Sequence, residues 1–77
     1  MNIVFAHCAY SFDDRLLKSK DYRIIIKTVK EVDNIPQGTQ FVAEIIPKIE
    51  GLSLRVVYDG MYYKISPYLC DFIGFPV

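Results

Sequence analysis

From residue 22 onward, runs of β-branched and aromatic residues alternate with clusters of Asp, Asn, Pro and Gly, the pattern of strands joined by turns. Residues 22–32 carry Ile24, Ile25, Ile26, Val29 and Val32 and read as a long first strand, its Ile triplet implying burial on both faces. Asp33-Asn34-Ile35-Pro36-Gln37-Gly38 is a turn by composition, since Asn, Pro and Gly preset turn dihedrals. Residues 39–46 form the next strand, which Pro47 ends or places at a sheet edge. A turn at Glu50-Gly51 leads into a third strand over 52–58.

Asp59-Gly60 is the strongest local signal. Between two β-rich runs it predicts a two-residue type I′ hairpin, whose central residues both need positive φ. The register follows: Tyr58 faces Met61, Val56 faces Tyr63 and Leu54 faces Ile65, an apolar face expected in the core. The opposite face pairs Val57 with Tyr62 and Arg55 with Lys64. Pro67 then stops the ladder and starts a short turn or helical turn, after which Phe72 and Ile73 return as a brief last strand. Residues 74–77 form an apolar tail.

The N-terminal part reads differently. Residues 2–10, with Ile3, Val4, Phe5 and Tyr10, suggest one strand or an extended arm. Ser11 followed by Asp13 and Asp14 is a helix N-cap signal. Arg15, Leu16, Leu17, Lys18 and Lys20 would continue a short helix, stable only if Phe12, Leu16 and Leu17 pack on something.

The order from residue 22 to 73 resembles a small SH3-like barrel. The carrying features are the long first strand, the Pro36-Gln37-Gly38 turn, the strand after it, the Asp59-Gly60 hairpin, and the ending with Ile65, Pro67, Leu69 and Ile73. In that family a hydrophobic strand commonly runs into a Pro-containing 3₁₀ turn and a short closing strand. The resemblance implies a small antiparallel barrel or strongly bent sheet of about five strands; with the N-terminal strand and one short helix read above, the expected class is mainly β (α+β). The expected organisation is a single domain over 1–77, divided into a 1–21 extension, a 22–73 β unit and a 74–77 tail. Peptide-binding SH3 domains carry an Ala-Leu-Tyr-Asp-Tyr-like opening and paired tryptophans; this chain has neither. Proline-rich peptide binding is not carried over to any residue.

Composition narrows the function. At 52% hydrophobic, with nine Lys and Arg balancing nine Asp and Glu, the chain is the reverse of a disordered segment. A chain of this size buries only ~60% of its unfolded surface, so part of that apolar content must stay exposed. Zero net charge argues against a protein that tracks nucleic-acid phosphates. No run approaches the roughly 18 apolar residues of a membrane span, and the N-terminus lacks a signal-peptide pattern. A cytoplasmic protein with reduced thiols is expected. Cys8 and Cys70 read as small buried hydrophobes, with a single bridge between them the less favoured alternative.

Catalytic constellations are missing. On one strand, His7 and Cys8 would point to opposite faces and form no base–nucleophile pair. His7, Cys8 and Cys70, even with Asp71, fall short of the spaced ligand pairs of a zinc site. Asp13 and Asp14 are better read as helix-start charges than as paired acids. There is no phosphate loop, nucleophile elbow or His-Glu-x-x-His run. The expectation is a protein that is not an enzyme and carries no cofactor or metal.

Two features point outward. Arg55 opposite Lys64 costs stability unless a carboxylate, Glu44 or Glu50, sits nearby. Alternatively the two cations, with Lys48 and Tyr62, contact an anion or an acidic partner. Of the six tyrosines, Tyr63 and Tyr58 belong to the expected core, while Tyr10, Tyr22, Tyr62 and Tyr68 have no obvious core slot; they either cap the open ends of a small barrel or serve an interface, where Tyr is enriched. The candidate partner-binding residues are Arg55, Tyr62, Lys64, Lys48, Tyr68 and Phe75. The leading expectation is a protein-binding module that inhibits or modulates a larger protein target. Charge-balanced, aromatic-rich chains of this length are frequent among phage and mobile-element products acting in that way. The second reading is a nucleic-acid-binding small barrel using the same basic and aromatic patch. A homo-oligomer joined through an edge strand or the tail is the third.

Overall fold

The computed structural model describes residues 2–13, 23–48 and 51–76; at 47, 48 and 51 the backbone alone is described. The expected helix residues 14–20, Tyr22, Glu50 and Val77 lie outside the described residues. Seven strands are present among those described: β1 (Asn2–Val4), β2 (Ala9–Ser11), β3 (Arg23–Thr28), β4 (Gln40–Lys48), β5 (Gly51–Tyr58), β6 (Met61–Ile65) and β7 (Cys70–Gly74). β1 and β2 form an antiparallel hairpin, and the other five strands form one antiparallel sheet in the order β6-β5-β4-β3-β7. β6 and β7 do not pair, so the sheet stays open and the closed barrel is not formed.

The β5–β6 hairpin follows its turn chemistry. Asp59 and Gly60 have φ of 51° and 78°, and the pairing runs Leu54–Ile65, Arg55–Lys64, Val56–Tyr63, Val57–Tyr62 and Tyr58–Met61 as expected. Leu54, Val56 and Ile65 are buried, and Tyr58 and Tyr63 pack on the core. Met61 departs from expectation and is exposed, because β6 is an edge strand with no described neighbour beyond it.

The first strand of the sheet stops at Thr28, short of the expected 32. Val32 and Ile35 instead exchange backbone bonds of 3.0 and 2.8 Å across Asp33-Asn34, a miniature hairpin. Val29 N–H donates to the Leu69 carbonyl at 3.0 Å, just beyond the β3–β7 ladder. Ile35 is then delivered from this loop into the core. Pro47 does not end β4; it pairs with Leu52 in a stretch where no described residue of β3 lies alongside, so its missing N–H leaves no described ladder bond unmade. Ser66 caps a 3₁₀ turn over Pro67–Leu69 by accepting from Tyr68 N–H, and β7 follows at once.

The N-terminal segment is a hairpin rather than one strand. The chain bends at Ala6 and His7, where Phe5 N–H donates to the Cys8 carbonyl at 2.7 Å and Ala6 N–H donates to the Cys70 carbonyl at 2.9 Å. Ile3, Phe5 and Phe12 enter the same core as Ile24, Ile26, Phe41, Leu54 and Ile65. Ser11 is the last residue of β2 rather than a helix cap, and the described residues hold only the 3₁₀ turn as helical structure. One face of the sheet is thus covered. No described residue covers the other, an arrangement that antiparallel sheets permit. Ile25, at the centre of the Ile triplet, lies on that open side and is half-buried, so the triplet is not buried on both faces.

Candidate interaction face

Alternation along five strands places three cross-strand rows on the open face. One row is charged: Lys64 opposes Arg55, Arg55 opposes Glu44 and Glu44 opposes Arg23. The next is apolar. Tyr62 opposes Val57 and Val42 opposes Ile25, while continuing the β4–β5 register by two residues brings Val42 beside Val57. Ile73 extends this row at the bulge where β7 pairs with Ile25 and Ile26. The third row holds Gln40, Lys27 and Asp71. Tyr62, Val57, Val42 and Ile73 are 72, 53, 49 and 48% exposed, a band of apolar side chains held in water between two polar rows.

The like-charge pair is resolved as the structural reading expects. Arg55 Nη2 donates to Glu44 Oε2 at 2.5 Å, and the Arg55 guanidinium lies 5.5 Å from the Tyr62 ring centroid. Both partners of the ion pair are well exposed, so it orients Arg55 more than it stabilises the fold. Lys64 has no described carboxylate partner. Among the described side chains of this face, Arg23, Lys27, Arg55 and Lys64 stand with Glu44 and Asp71, four cations to two carboxylates on a chain that is neutral overall.

Of the six partner-binding candidates, Arg55, Tyr62 and Lys64 come together here. Tyr68 projects from the 3₁₀ turn and is largely exposed. Phe75 belongs to a separate aromatic cluster, with ring centroids 5.5 Å from Phe72, 6.1 Å from Phe12 and 6.2 Å from Tyr10. The tail therefore crosses the N-terminal hairpin, which also gives Tyr10 its place, 4.5 Å from Phe72. Lys48 lies at the end of β4, where the backbone alone is described. Sequence reasoning missed Val42, Ile25 and Ile73. Their neighbours in sequence are also apolar, so no alternation marks which side faces water.

A second feature lies at the β3–β7 end of the sheet, where Lys27 and Asp71 of the third row meet the N-terminal bend. His7 Nδ1–H donates to Asp71 Oδ1 at 2.7 Å, above an open cleft of about 450 Å³ also lined by Lys27, Thr28, Val29, Gln37 and Gly38. The one hydroxyl of the lining, on Thr28, already donates to the Pro36 carbonyl at 2.9 Å. No group of three or more His, Cys, Asp or Glu side chains gathers as a metal site among the described residues. Among the same residues no helix is long and apolar enough to cross a membrane.

Both cysteines are free thiols. Cys70 is buried as expected, whereas Cys8 is exposed, because the bend at His7 turns it away from the core. Burial, aided by the neighbouring Asp71 carboxylate, pushes the Cys70 thiol up from 9.0 to about 11. Iodoacetamide on the folded protein should modify Cys8 and leave Cys70 intact until the chain unfolds, as read by mass spectrometry. The unfolded thiol ionises before the folded one, so its contribution to stability is full below pH 9 and is lost between 9 and about 11. Over that range the midpoint of urea unfolding should fall more steeply for the wild type than for Cys70→Ala.

Comparison of the chain with family models, with curated proteins and with solved structures finds no match, so any functional reading rests on this face and its chemistry.

Proposed function

We propose that the chain is a non-enzymatic protein-binding module that inhibits or modulates a larger protein target through the open face of its sheet. The observation that carries this reading is the apolar row of Tyr62, Val57, Val42, Ile25 and Ile73, aligned across all five strands. Isolated exposed apolar residues need no explanation, but a contiguous band rimmed by charge is the usual form of a contact surface. The excess of cations beside it favours a partner that presents apolar side chains among acidic ones. The strand, Pro67 turn and closing strand at residues 61–74 support the SH3-like arrangement at its C-terminal half. The open sheet departs from it. The nucleic-acid reading stays second on charge: the chain is neutral overall, and Arg55 at the centre of the patch is already paired with Glu44.

Photo-crosslinking tests the proposal. Benzoyl-phenylalanine placed at Tyr62 should give one discrete adduct in the native host, and the same group at Asn34, exposed in a turn away from this face, should not. Val57→Glu should weaken capture at least tenfold, a loss of ~1.4 kcal/mol, while leaving the fold intact. Equal capture from both positions, or none, sinks the reading. Single-stranded DNA binding that falls steeply with salt would replace it with the second.

A further inference from the structure

We propose that the outer edge of β6 is a strand-addition site, which takes an extended acidic and apolar segment of the partner as a sixth antiparallel strand. This rests on the protein-binding reading and specifies how the partner is held. In a two-residue I′ hairpin the residues flanking the turn exchange both backbone bonds, so Met61, Tyr63 and Ile65 spend theirs on β5. Tyr62 and Lys64 therefore turn their N–H and C=O groups away from the sheet, and no described strand meets them. The other edge is treated differently. There the N-terminal bend covers β7, with Ala6 N–H donating to the Cys70 carbonyl at 2.9 Å. Among the described residues one edge is met by another segment and the other is not.

The side chains along β6 select the occupant. On the open face Lys64, without a described carboxylate partner, stands beside Arg55, and a residue directly opposite Lys64 on an added strand is favoured when acidic. On the inner side Met61 is 62% exposed and Tyr63 half-buried, so residues opposite them gain by being apolar. An antiparallel segment read from its N-terminus then runs apolar, acidic, apolar, β-branched, apolar against Ile65, Lys64, Tyr63, Tyr62 and Met61. A second copy of this chain is disfavoured as occupant, because pairing β6 with itself gathers two Lys64 and two Arg55 side chains across one axis. A lysine on an edge strand is a known guard against that self-pairing.

The probe is a blocked synthetic peptide, Ser-Val-Glu-Ile-Thr-Leu-Ser, with a twin carrying Lys in place of Glu. Binding is read by residue-resolved amide exchange and titration. The Glu peptide should slow exchange at Tyr62 and Lys64 at least tenfold while leaving the already bonded Tyr63 unchanged. The twin should bind roughly 3–10-fold more weakly. Lys64→Pro removes one edge donor without touching a β5–β6 bond and should abolish the protection. If that variant fails to fold, Lys64→Glu should reverse the preference between the two peptides. No alternating protection, equal binding of the twins, or protection of Tyr62 and Lys64 in concentrated protein alone each overturns the proposal; the last makes the occupant a second copy. Crosslinking from Tyr62 without alternating protection leaves the face reading standing and removes this one. Alternating protection with no face capture does the reverse.

Discussion

Phe5→Ala should destabilise the protein by about 3–5 kcal/mol, a large part of the stability of any domain this small. Phe5 precedes the N-terminal bend and is 2% exposed, with its ring centroid 5.7 Å from Phe72 of β7. Truncation removes the transfer energy of a whole ring and leaves a cavity between the hairpin and the sheet. The walls cannot readily collapse into it. The backbone on either side is pinned, by Phe5 N–H to the Cys8 carbonyl and by Ala6 N–H to the Cys70 carbonyl. The neighbouring Val4 points outward, and Val4→Ala should change stability by no more than ~0.5 kcal/mol. Urea unfolding of the two variants separates the cases. A loss below ~1 kcal/mol for Phe5→Ala would mean that residues 2–13 are an appendage rather than part of the core.

Thr28→Val should cost about 1–3 kcal/mol although it conserves volume and adds apolar surface. Thr28 is 2% exposed at the end of β3, and its hydroxyl holds the following loop from two sides. Oγ1 donates to the Pro36 carbonyl at 2.9 Å and accepts from Thr39 N–H at 3.1 Å. Valine fills the space and offers neither function. The Pro36 carbonyl keeps a second donor, the Thr39 hydroxyl at 2.7 Å, so the main penalty falls on the Thr39 amide. Thr28→Ser keeps the hydroxyl and should lose less. Faster amide exchange at Thr39 in Thr28→Val, with the exchange of Ile24 unchanged, would assign the cost to this bond. An unchanged urea midpoint would show that Ile35 and the backbone bonds of Thr28 with Gly38 and Thr39 hold the loop without the hydroxyl.

The parts of the fold that were legible in the sequence are those whose cause is local. Asp59-Gly60 sets its own dihedrals, and the register of β5 and β6 follows from them without further information. Pro67 likewise marks the end of β6 whatever surrounds it. The N-terminal hairpin is illegible in the sequence because no turn residue marks it, although a local bond from Phe5 N–H to the Cys8 carbonyl closes its bend. No Gly or Pro punctuates residues 2–11, and the bend is also held from outside, by the Cys70 carbonyl and the Asp71 carboxylate. Cys8 was misplaced with it, since a residue read on a strand was on a bend. Met61 was misplaced for a related reason: alternation assigns a side of the sheet, but which strand lies at the edge is decided by topology. The interaction face was half legible. Arg55, Lys64 and Tyr62 followed from the hairpin, while Val42, Ile25 and Ile73 needed the neighbouring strands to show that their side was uncovered.

The bond from Ala6 to Cys70 and the pair of His7 with Asp71 join positions 64 residues apart. During synthesis, at about 5–20 residues per second, roughly 3–13 s separate the appearance of the first group from that of the second. For nearly all of that interval Phe5 and Phe12 have both been made and the rings that will cover them, Phe72 and Phe75, have not. The β5–β6 hairpin can form as soon as its own residues emerge, but the core cannot close around it. The nascent chain therefore carries its most apolar N-terminal residues uncovered until the last strand arrives, and this is the stage at which binding by a chaperone, or by another nascent copy, would compete with folding.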